Sequence, residues 1–345
     1  MPESTNTTRR FHLAGLTAAG VVTIALVTVL IIRGFIGGPD ATSAATARSA
    51  LESQRAIDEA IRLAQQRMLE QRPDLAEAVL RNAANEHPAD AELRIQLGEA
   101  LFAQDRVQEA YEQYNEALGL GPDNAELQFA AGTLASMAGL VDRAAQHYSV
   151  AQTLDQANAK YPLYLAQVQR KLGRTEEAQS NLVRVVNLVP DLAVAWGSLA
   201  DIAFAENNLQ MASHYLGKAL EIEPDAPSWL LLQARILRRE GKPEEAAILL
   251  SAIAENQPVP DPMVLREQAL CMGLLGRQTD AAALYDRAIE VGHPNADTLA
   301  ELHYEAALWH ERLGNDDRAA ACAQRAVELG ENRAGIVVQR LAEGS

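Results

Sequence analysis

The residues best suited to metal or acid–base chemistry lie near the C-terminus, where His303 and His310 are seven residues apart and Glu311 follows the second histidine. Seven residues make two helical turns, so both imidazoles would share one face of a helix. Imidazole and carboxylate are common zinc ligands. Two polar residues on one helix are the simpler interpretation, and we predict no metal site.

Other catalytic signatures are missing from the sequence. It contains no phosphate-binding Walker loop, no GxGxxG, HExxH or GxSxG motif and no CxxC pair. Cys271 and Cys322 are the only cysteines, and both lie inside helical patterns. We expect buried free thiols, with a single disulfide as the alternative. We therefore predict no catalytic residue, no cofactor and no enzymatic activity.

Composition restricts both the fold and the partners. Hydrophobic residues, mostly Ala and Leu, make up 48% of the chain, whereas aromatic residues make up 5%. This mixture favours closely packed helices over sheets. The net charge of −16 argues against nucleic acid as a partner, because phosphate binding needs basic surfaces.

The N-terminal region contains an uncharged apolar run from Leu13 to Ile32, between Arg10 and Arg33. Twenty helical residues span about 30 Å, the thickness of a bilayer core. We predict a tail at 1–12 and a transmembrane helix at 13–33. The alternative is a cleaved signal ending near Ala45-Thr46-Ala47, but the run is longer than a signal peptide needs.

The rest of the chain has a 34-residue period. Prolines recur at that spacing, with one position skipped, at Pro88, Pro122, Pro190, Pro224 and Pro258. With proline as position 32, positions 8 and 20 are small, position 24 is large and position 15 favours a turn. The position-15 residues are Asp105, Gly139, Gly173, Asn207, Gly241, Gly276 and Gly314. Such residues tolerate the left-handed backbone that ends a helix, so each period predicts two helices. Aspartates after the prolines (Asp123, Asp191 and Asp225) are candidate caps of the next helix.

This pattern resembles the tetratricopeptide repeat, which has small residues at positions 8, 20 and 27, a bulky residue at 24 and proline at 32. The resemblance departs at the end, where Ala323 and Glu331 replace the expected tyrosine and proline. It implies an all-α fold, a right-handed α-solenoid of about eight helix-turn-helix repeats over residues 57–333, preceded by the one transmembrane helix. Residues 34–56 are then a linker and lead-in helix, and residues 334–345 a C-terminal capping helix and tail.

The resemblance also implies a concave groove lined by positions 2, 5, 9, 12 and 13 of the first helices. Repeats two and three contribute Glu92, Ile95, Glu99, Glu126 and Met137, an acidic lining with apolar residues. The candidate partner-binding residues are Lys160, Arg170, Lys171, Arg235, Arg238, Arg239, Arg266, Phe102, Phe129 and Phe204. The basic members favour an acidic peptide or a C-terminal carboxylate as ligand. The alternative is ordinary solvated charge that complements helix ends.

These features predict a scaffold or adaptor that binds other proteins or peptides in bacterial envelope biogenesis or assembly. We expect a single-pass inner-membrane protein with its N-terminus in the cytoplasm and its repeats in the periplasm. Two alternatives stay open. One is a regulatory subunit of a membrane enzyme or protease on the cytoplasmic side, and the other is an exported soluble binding protein after signal cleavage.

Overall fold

The structure, a computed structural model, describes residues 41–121 and 124–344. Within these ranges it contains seventeen helices and no strand. They are α1 (Ala41–Leu69), α2 (Pro73–Glu86), α3 (Ala91–Phe102), α4 (Val107–Leu120), α5 (Ala125–Met137), α6 (Val141–Leu154), α7 (Lys160–Lys171), α8 (Thr175–Leu188), α9 (Ala193–Ala205), α10 (Leu209–Ile222), α11 (Pro227–Arg239), α12 (Pro243–Glu255), α13 (Pro262–Leu274), α14 (Gln278–Val291), α15 (Ala296–Arg312), α16 (Asp316–Glu328) and α17 (Ala334–Gly344).

The membrane prediction falls on residues that the structure does not describe. The predicted tail and the span at 13–33 both lie outside the described ranges. Among the helices that are described, none combines the length and the apolar character that crossing a bilayer requires.

Helix pairs follow the predicted period. The first helices of repeats two to seven begin within one residue of the positions that the period predicts, and α17 begins at Ala334 as expected. Helix α1 begins at Ala41, inside the segment predicted as a linker and lead-in helix, because an Ala-rich segment without Gly or Pro favours a helix. One start differs. Helix α15 begins at Ala296, four residues earlier than predicted, because Asn295 caps it there.

The turn prediction is confirmed at all seven positions. Asp105, Asn207 and the five glycines at position 15 have φ between 59° and 79°. Gln71, at the same position of the first repeat, also has a left-handed φ of 58°. The repeat register identifies this turn, although glutamine is not a typical turn residue.

The capping prediction is wrong at Asp191 and Asp225. The N-cap residues of α9 and α11 are Leu192 and Ala226, and neither makes a side-chain cap hydrogen bond. Pro227 reduces the need for a cap at α11, because proline has no amide N–H to satisfy. Asp123 lies outside the described residues. Side-chain caps occur elsewhere, at Asp90, Asn124, Asn208, Asp261 and Asn295.

The small-residue columns are buried and allow close contact between paired helices. Every alanine at positions 8 and 20 is at most 1% exposed. A Cβ added at Gly98 would lie 2.6 Å from the ring of Tyr114, so the tyrosine at position 24 occupies the space that glycine leaves. Helix contacts divide the chain into an N-terminal unit that ends at Arg174 and a C-terminal unit that begins at Thr175. Both cysteines lie in the second unit and are buried free thiols, as predicted.

Candidate peptide-binding surface

Phe129 of the N-terminal unit is a core residue. Its ring is 5% exposed, and it lies 5.0–5.6 Å from the rings of Tyr148, Tyr161 and Tyr164. The Lys160 ammonium lies 3.8 Å from the Phe129 ring centroid, in a cation–π contact. It also lies 3.5 Å from a carboxylate oxygen of Glu126. Phe129 therefore supports the surface from below, and Lys160 covers it.

The other predicted residues of this unit are solvent-exposed. Phe102 is 40% exposed at the end of α3. Arg170 and Lys171 are exposed in the last turn of α7. Cations at that end complement the partial negative charge of the helix C-terminus. Phe102 is thus the predicted aromatic residue that is open to a partner in this unit.

In the C-terminal unit, two guanidinium groups cover a buried phenyl ring. Phe204 is 5% exposed, and the guanidinium carbons of Arg235 and Arg239 lie 4.8 and 4.2 Å from its ring centroid. Arg239 Nη1 donates long hydrogen bonds of 3.4 Å to the Phe204 carbonyl and to Asn207 Oδ1. Arg239 is exposed and has neutral acceptors only, so it is the cation of this group best placed to accept an external carboxylate.

Arg235 and Arg238 share a carboxylate that the sequence reasoning missed. Glu267 is 3% exposed, its Oε2 accepts a hydrogen bond of 3.0 Å from Arg238 Nε, and its Oε1 lies 3.2 Å from Arg235 Nε. The second contact is an ion pair without hydrogen-bond geometry, since Arg235 Nε has no hydrogen-bond partner. Much of the positive charge predicted here is therefore neutralised inside the protein.

Arg266 is held in the same way. Its Nε and Nη2 atoms donate to both carboxylate oxygens of Glu305, at 2.7 and 2.6 Å. This bidentate contact raises the pKa of Arg266. Glu267 and Glu305 both occupy position 6 of their repeats, and each pairs with arginine from the preceding repeat. A comparison of the charged positions of adjacent repeats would predict this pairing from the sequence.

The histidines do not form a metal site with neighbouring ligands. His310 is buried, and its Nε2 donates to Asp286 Oδ1 at 3.2 Å. Arg318 Nη2 donates to the same oxygen at 2.9 Å. Burial lowers the pKa of His303. Within the described ranges, no group of three or more potential ligands is arranged to hold a metal ion.

Family models now identify the repeats. Two models described as tetratricopeptide repeat match, one at residues 67–134 and the other at 112–159, 198–261 and 231–298. Together they cover more than half of the chain. The chain is a tetratricopeptide repeat protein. Matches fall on both units. No curated protein sequence matches the chain.

Solved structures agree on this fold. A tetratricopeptide repeat protein from Parabacteroides merdae ATCC 43184 has a TM-score of 0.56 and 16% identity over 72% of this chain and 97% of its own. A chain of the Cut9–Hcn1 hetero-tetramer of APC/C has a TM-score of 0.57 and 14% identity, over 87% of this chain and 59% of its own. YrrB, described as having an unusual peptide-binding site, has a TM-score of 0.47 and 21% identity over 52% of this chain and 95% of its own, and this likeness carries no conclusion. At 16% and 14% identity, the first two likenesses concern the fold alone.

Tetratricopeptide repeat proteins mediate protein–protein interactions, and the arrangement of this chain is suited to that role. The tetratricopeptide repeat fold is generally an interaction scaffold. On its first helices, the cations Lys160, Arg235 and Arg239 cover the buried rings of Phe129 and Phe204.

Proposed function

We propose that this chain is a membrane-anchored adaptor that binds a partner protein on the first-helix surface of its C-terminal unit. The observation that carries the proposal is Arg239, an exposed cation stacked on Phe204 with no carboxylate partner of its own. A stacked guanidinium is already ordered, so it loses little side-chain entropy on binding. Its ligand is an acidic segment or a C-terminal carboxylate of the partner.

The roles of the other arginines in this proposal differ from that of Arg239. Arg235, Arg238 and Arg266 hold buried or half-buried carboxylates, so their substitution would disturb folding as well as binding. Arg239 can be reversed without leaving a buried charge unpaired. It is therefore the residue at which binding and stability can be separated.

The test uses the full chain in cells, with a photoreactive amino acid replacing the exposed Ala205, which follows Phe204. We expect capture of a discrete partner that Arg239→Glu abolishes. Arg287→Glu is the matched control, because Arg287 is exposed on the second helix α14. A photoreactive residue at Ile248, exposed on second helix α12, should capture nothing comparable. Equal capture by the Arg239→Glu and wild-type chains would refute the proposed surface.

The anchor part of the proposal is supported by the uncharged run from Leu13 to Ile32. We propose that this run holds the repeats at the inner membrane of a bacterial envelope, on the periplasmic side, where they assist envelope assembly. Removal of residues 13–33 should release the chain from membranes in cell fractionation. A reporter fused to the C-terminus should give a periplasmic signal. A cytoplasmic signal would favour the regulatory subunit instead, and a new N-terminus near Ala47 would favour the exported protein.

A further inference from the structure

The first-helix face of α3 in the N-terminal unit differs from the surface around Arg239 in charge. Glu92, Ile95, Glu99 and Phe102 follow one another at spacings of three and four residues, so they form one stripe. The opposite stripe, which includes Leu93, Leu97 and Leu101, is buried. We call the first stripe the α3 acidic face.

Glu99 is the carboxylate of this face with no partner among the described residues. By contrast, Glu92 accepts a hydrogen bond of 3.1 Å from Gln96. On the next first helix, Glu126 accepts one of 2.8 Å from the Tyr161 hydroxyl and lies near Lys160. A half-buried carboxylate without a hydrogen bond or counter-ion is costly to ionise, so Glu99 gains from an external cation.

The neighbouring first helices supply no counter-ion to Glu99. The one cation of α3, Arg94, lies 3.1 Å from Glu116 of α4 and donates to Gln113 of that helix. Helix α5 has one charged residue, Glu126. On α1, the guanidinium groups of Arg62 and Arg67 lie 3.8 and 2.7 Å from the carboxylates of Glu59 and Glu70. Glu99 is therefore open to a cationic ligand.

The surroundings also provide space and apolar contact. A cleft of about 300 Å³ lies between α1 and α3 and is lined by Ile57, Asp58, Ile61, Arg62, Asp90 and Glu92. Glu92 belongs both to this cleft and to the α3 acidic face, so the two adjoin. At the other end of the face, Phe102 exposes 40% of its surface.

We propose that the α3 acidic face binds a basic segment of a partner protein, with a lysine or arginine at Glu99 and an apolar side chain against Phe102. This inference rests on the proposed function, because it assumes that first-helix surfaces bind proteins. It adds a second surface, of opposite charge preference, in the other unit.

Ionisation of Glu99 provides a signature that general attraction to an acidic protein lacks. Burial, followed by the charge of Glu92, raises the pKa of Glu99 to about 7. Tyr114, packed from α4, is a further titratable group beside it, and burial, followed by the charges of Glu99 and Glu92, raises the pKa of Tyr114. Asp58 and Arg62 of α1 line the adjoining cleft. A cationic ligand prefers ionised Glu99, so its affinity should rise from pH 6 to pH 8.

The probe is an acetylated, fluorescein-labelled peptide with two lysines separated by leucine and alanine, and the measurement is fluorescence anisotropy with the full chain in detergent. We expect about tenfold tighter binding at pH 8 than at pH 6, because the ionised fraction of a group with a pKa near 7 changes by about that factor. Glu99→Gln should weaken binding at pH 8 and abolish the pH dependence. Glu112→Gln, an exposed change on second helix α4, should preserve both.

Equal binding by the wild-type and Glu99→Gln chains, without pH dependence, would overturn the inference. So would tighter binding of a peptide with glutamates in place of the lysines. If Glu99→Gln changed the oligomeric state of the chain in sedimentation but left binding of the peptide unchanged, the inference would be overturned in favour of self-association. Arg239-dependent capture without binding of the lysine peptide would refute this inference and leave the proposed function intact. Loss of Arg239-dependent capture with retained peptide binding would refute the surface around Arg239 instead.

Discussion

Two glycines on first helices of the C-terminal unit leave space for a neighbouring indole ring. A Cβ added at Gly197 would lie 2.2 Å from ring atoms of Trp229, and one added at Gly273 would lie 2.5 Å from Trp309. Glycine in a helix interior costs about 1 kcal/mol relative to alanine. Close packing of the rigid indole is the physical reason for glycine at these two positions.

We predict that Gly197→Ala destabilises the C-terminal unit, because overpacking of about 1–3 kcal/mol exceeds the helix-propensity gain of about 1 kcal/mol. Gly217→Ala is the matched control, since nothing lies within 4 Å of a Cβ at that helical position. The control should be stabilised by about 0.5–1 kcal/mol. Urea unfolding measures both changes, and tryptophan fluorescence should shift in the first variant alone. A stabilised Gly197→Ala chain would contradict the packing argument.

Carboxylates at position 6 pair with several of the basic residues that the sequence places on the predicted groove. The sequence places seven basic residues on the predicted groove. At least four of them (Lys160, Arg235, Arg238 and Arg266) lie within 4 Å of a carboxylate. Which side chains pair depends on the register between adjacent repeats, and a single repeat read alone cannot reveal it. Only after this pairing is known can one see that Arg239 has no carboxylate partner and that Glu99 has no cationic partner among the described residues.

At the scale of helices, the turn between the two helices of each repeat requires one left-handed residue. Gln71, Asp105 and Asn207 adopt that conformation with a side chain present. The Cβ of such a residue is close to the following carbonyl oxygen, which costs about 1–2 kcal/mol. Period and register could therefore be predicted from sequence, because φ greater than zero restricts residue choice at one position in each repeat.

We predict that Gln71→Gly stabilises the chain by about 1 kcal/mol, because glycine adopts the left-handed conformation without the Cβ contact. Gly139→Gln, with a φ of 76° at the corresponding turn, should destabilise by a similar amount. The two variants exchange the same residue types in opposite directions and are measured by urea unfolding. Destabilisation by both would show that the side chain of Gln71 contributes more than its backbone costs.

Helix ends were harder to predict than helix pairs. Asp191 and Asp225 have the residue type of a cap, but they lie one residue before the N-cap positions Leu192 and Ala226. A shift of one residue removes the hydrogen bond, since the cap must reach the N–H two or three residues ahead. Composition therefore predicts the presence of a helix start and does not determine which residue caps it.

At the scale of the whole molecule, stability should be local. The two units have separate buried clusters, such as the one around Leu97 and the one around Leu265. In such arrays, stability is a sum of repeat terms and nearest-neighbour terms. Damage in one repeat should therefore loosen adjacent helices more than distant ones.

We predict that Leu97→Ala, which truncates a side chain 1% exposed in α3, increases amide hydrogen exchange in α2 to α5 and leaves α13 to α15 unchanged. Leu265→Ala, at an equally buried position of α13, is the mirror control and should have the opposite pattern. Each substitution should lower the free energy of unfolding by about 2–5 kcal/mol, enough to populate local opening of the neighbouring helices. Hydrogen exchange with mass spectrometry measures every helix in one experiment. A uniform loss of protection in either variant would mean that the chain unfolds as one cooperative body. In that case, a partner bound to the α3 acidic face would stabilise the C-terminal repeats as strongly as the N-terminal repeats that it contacts.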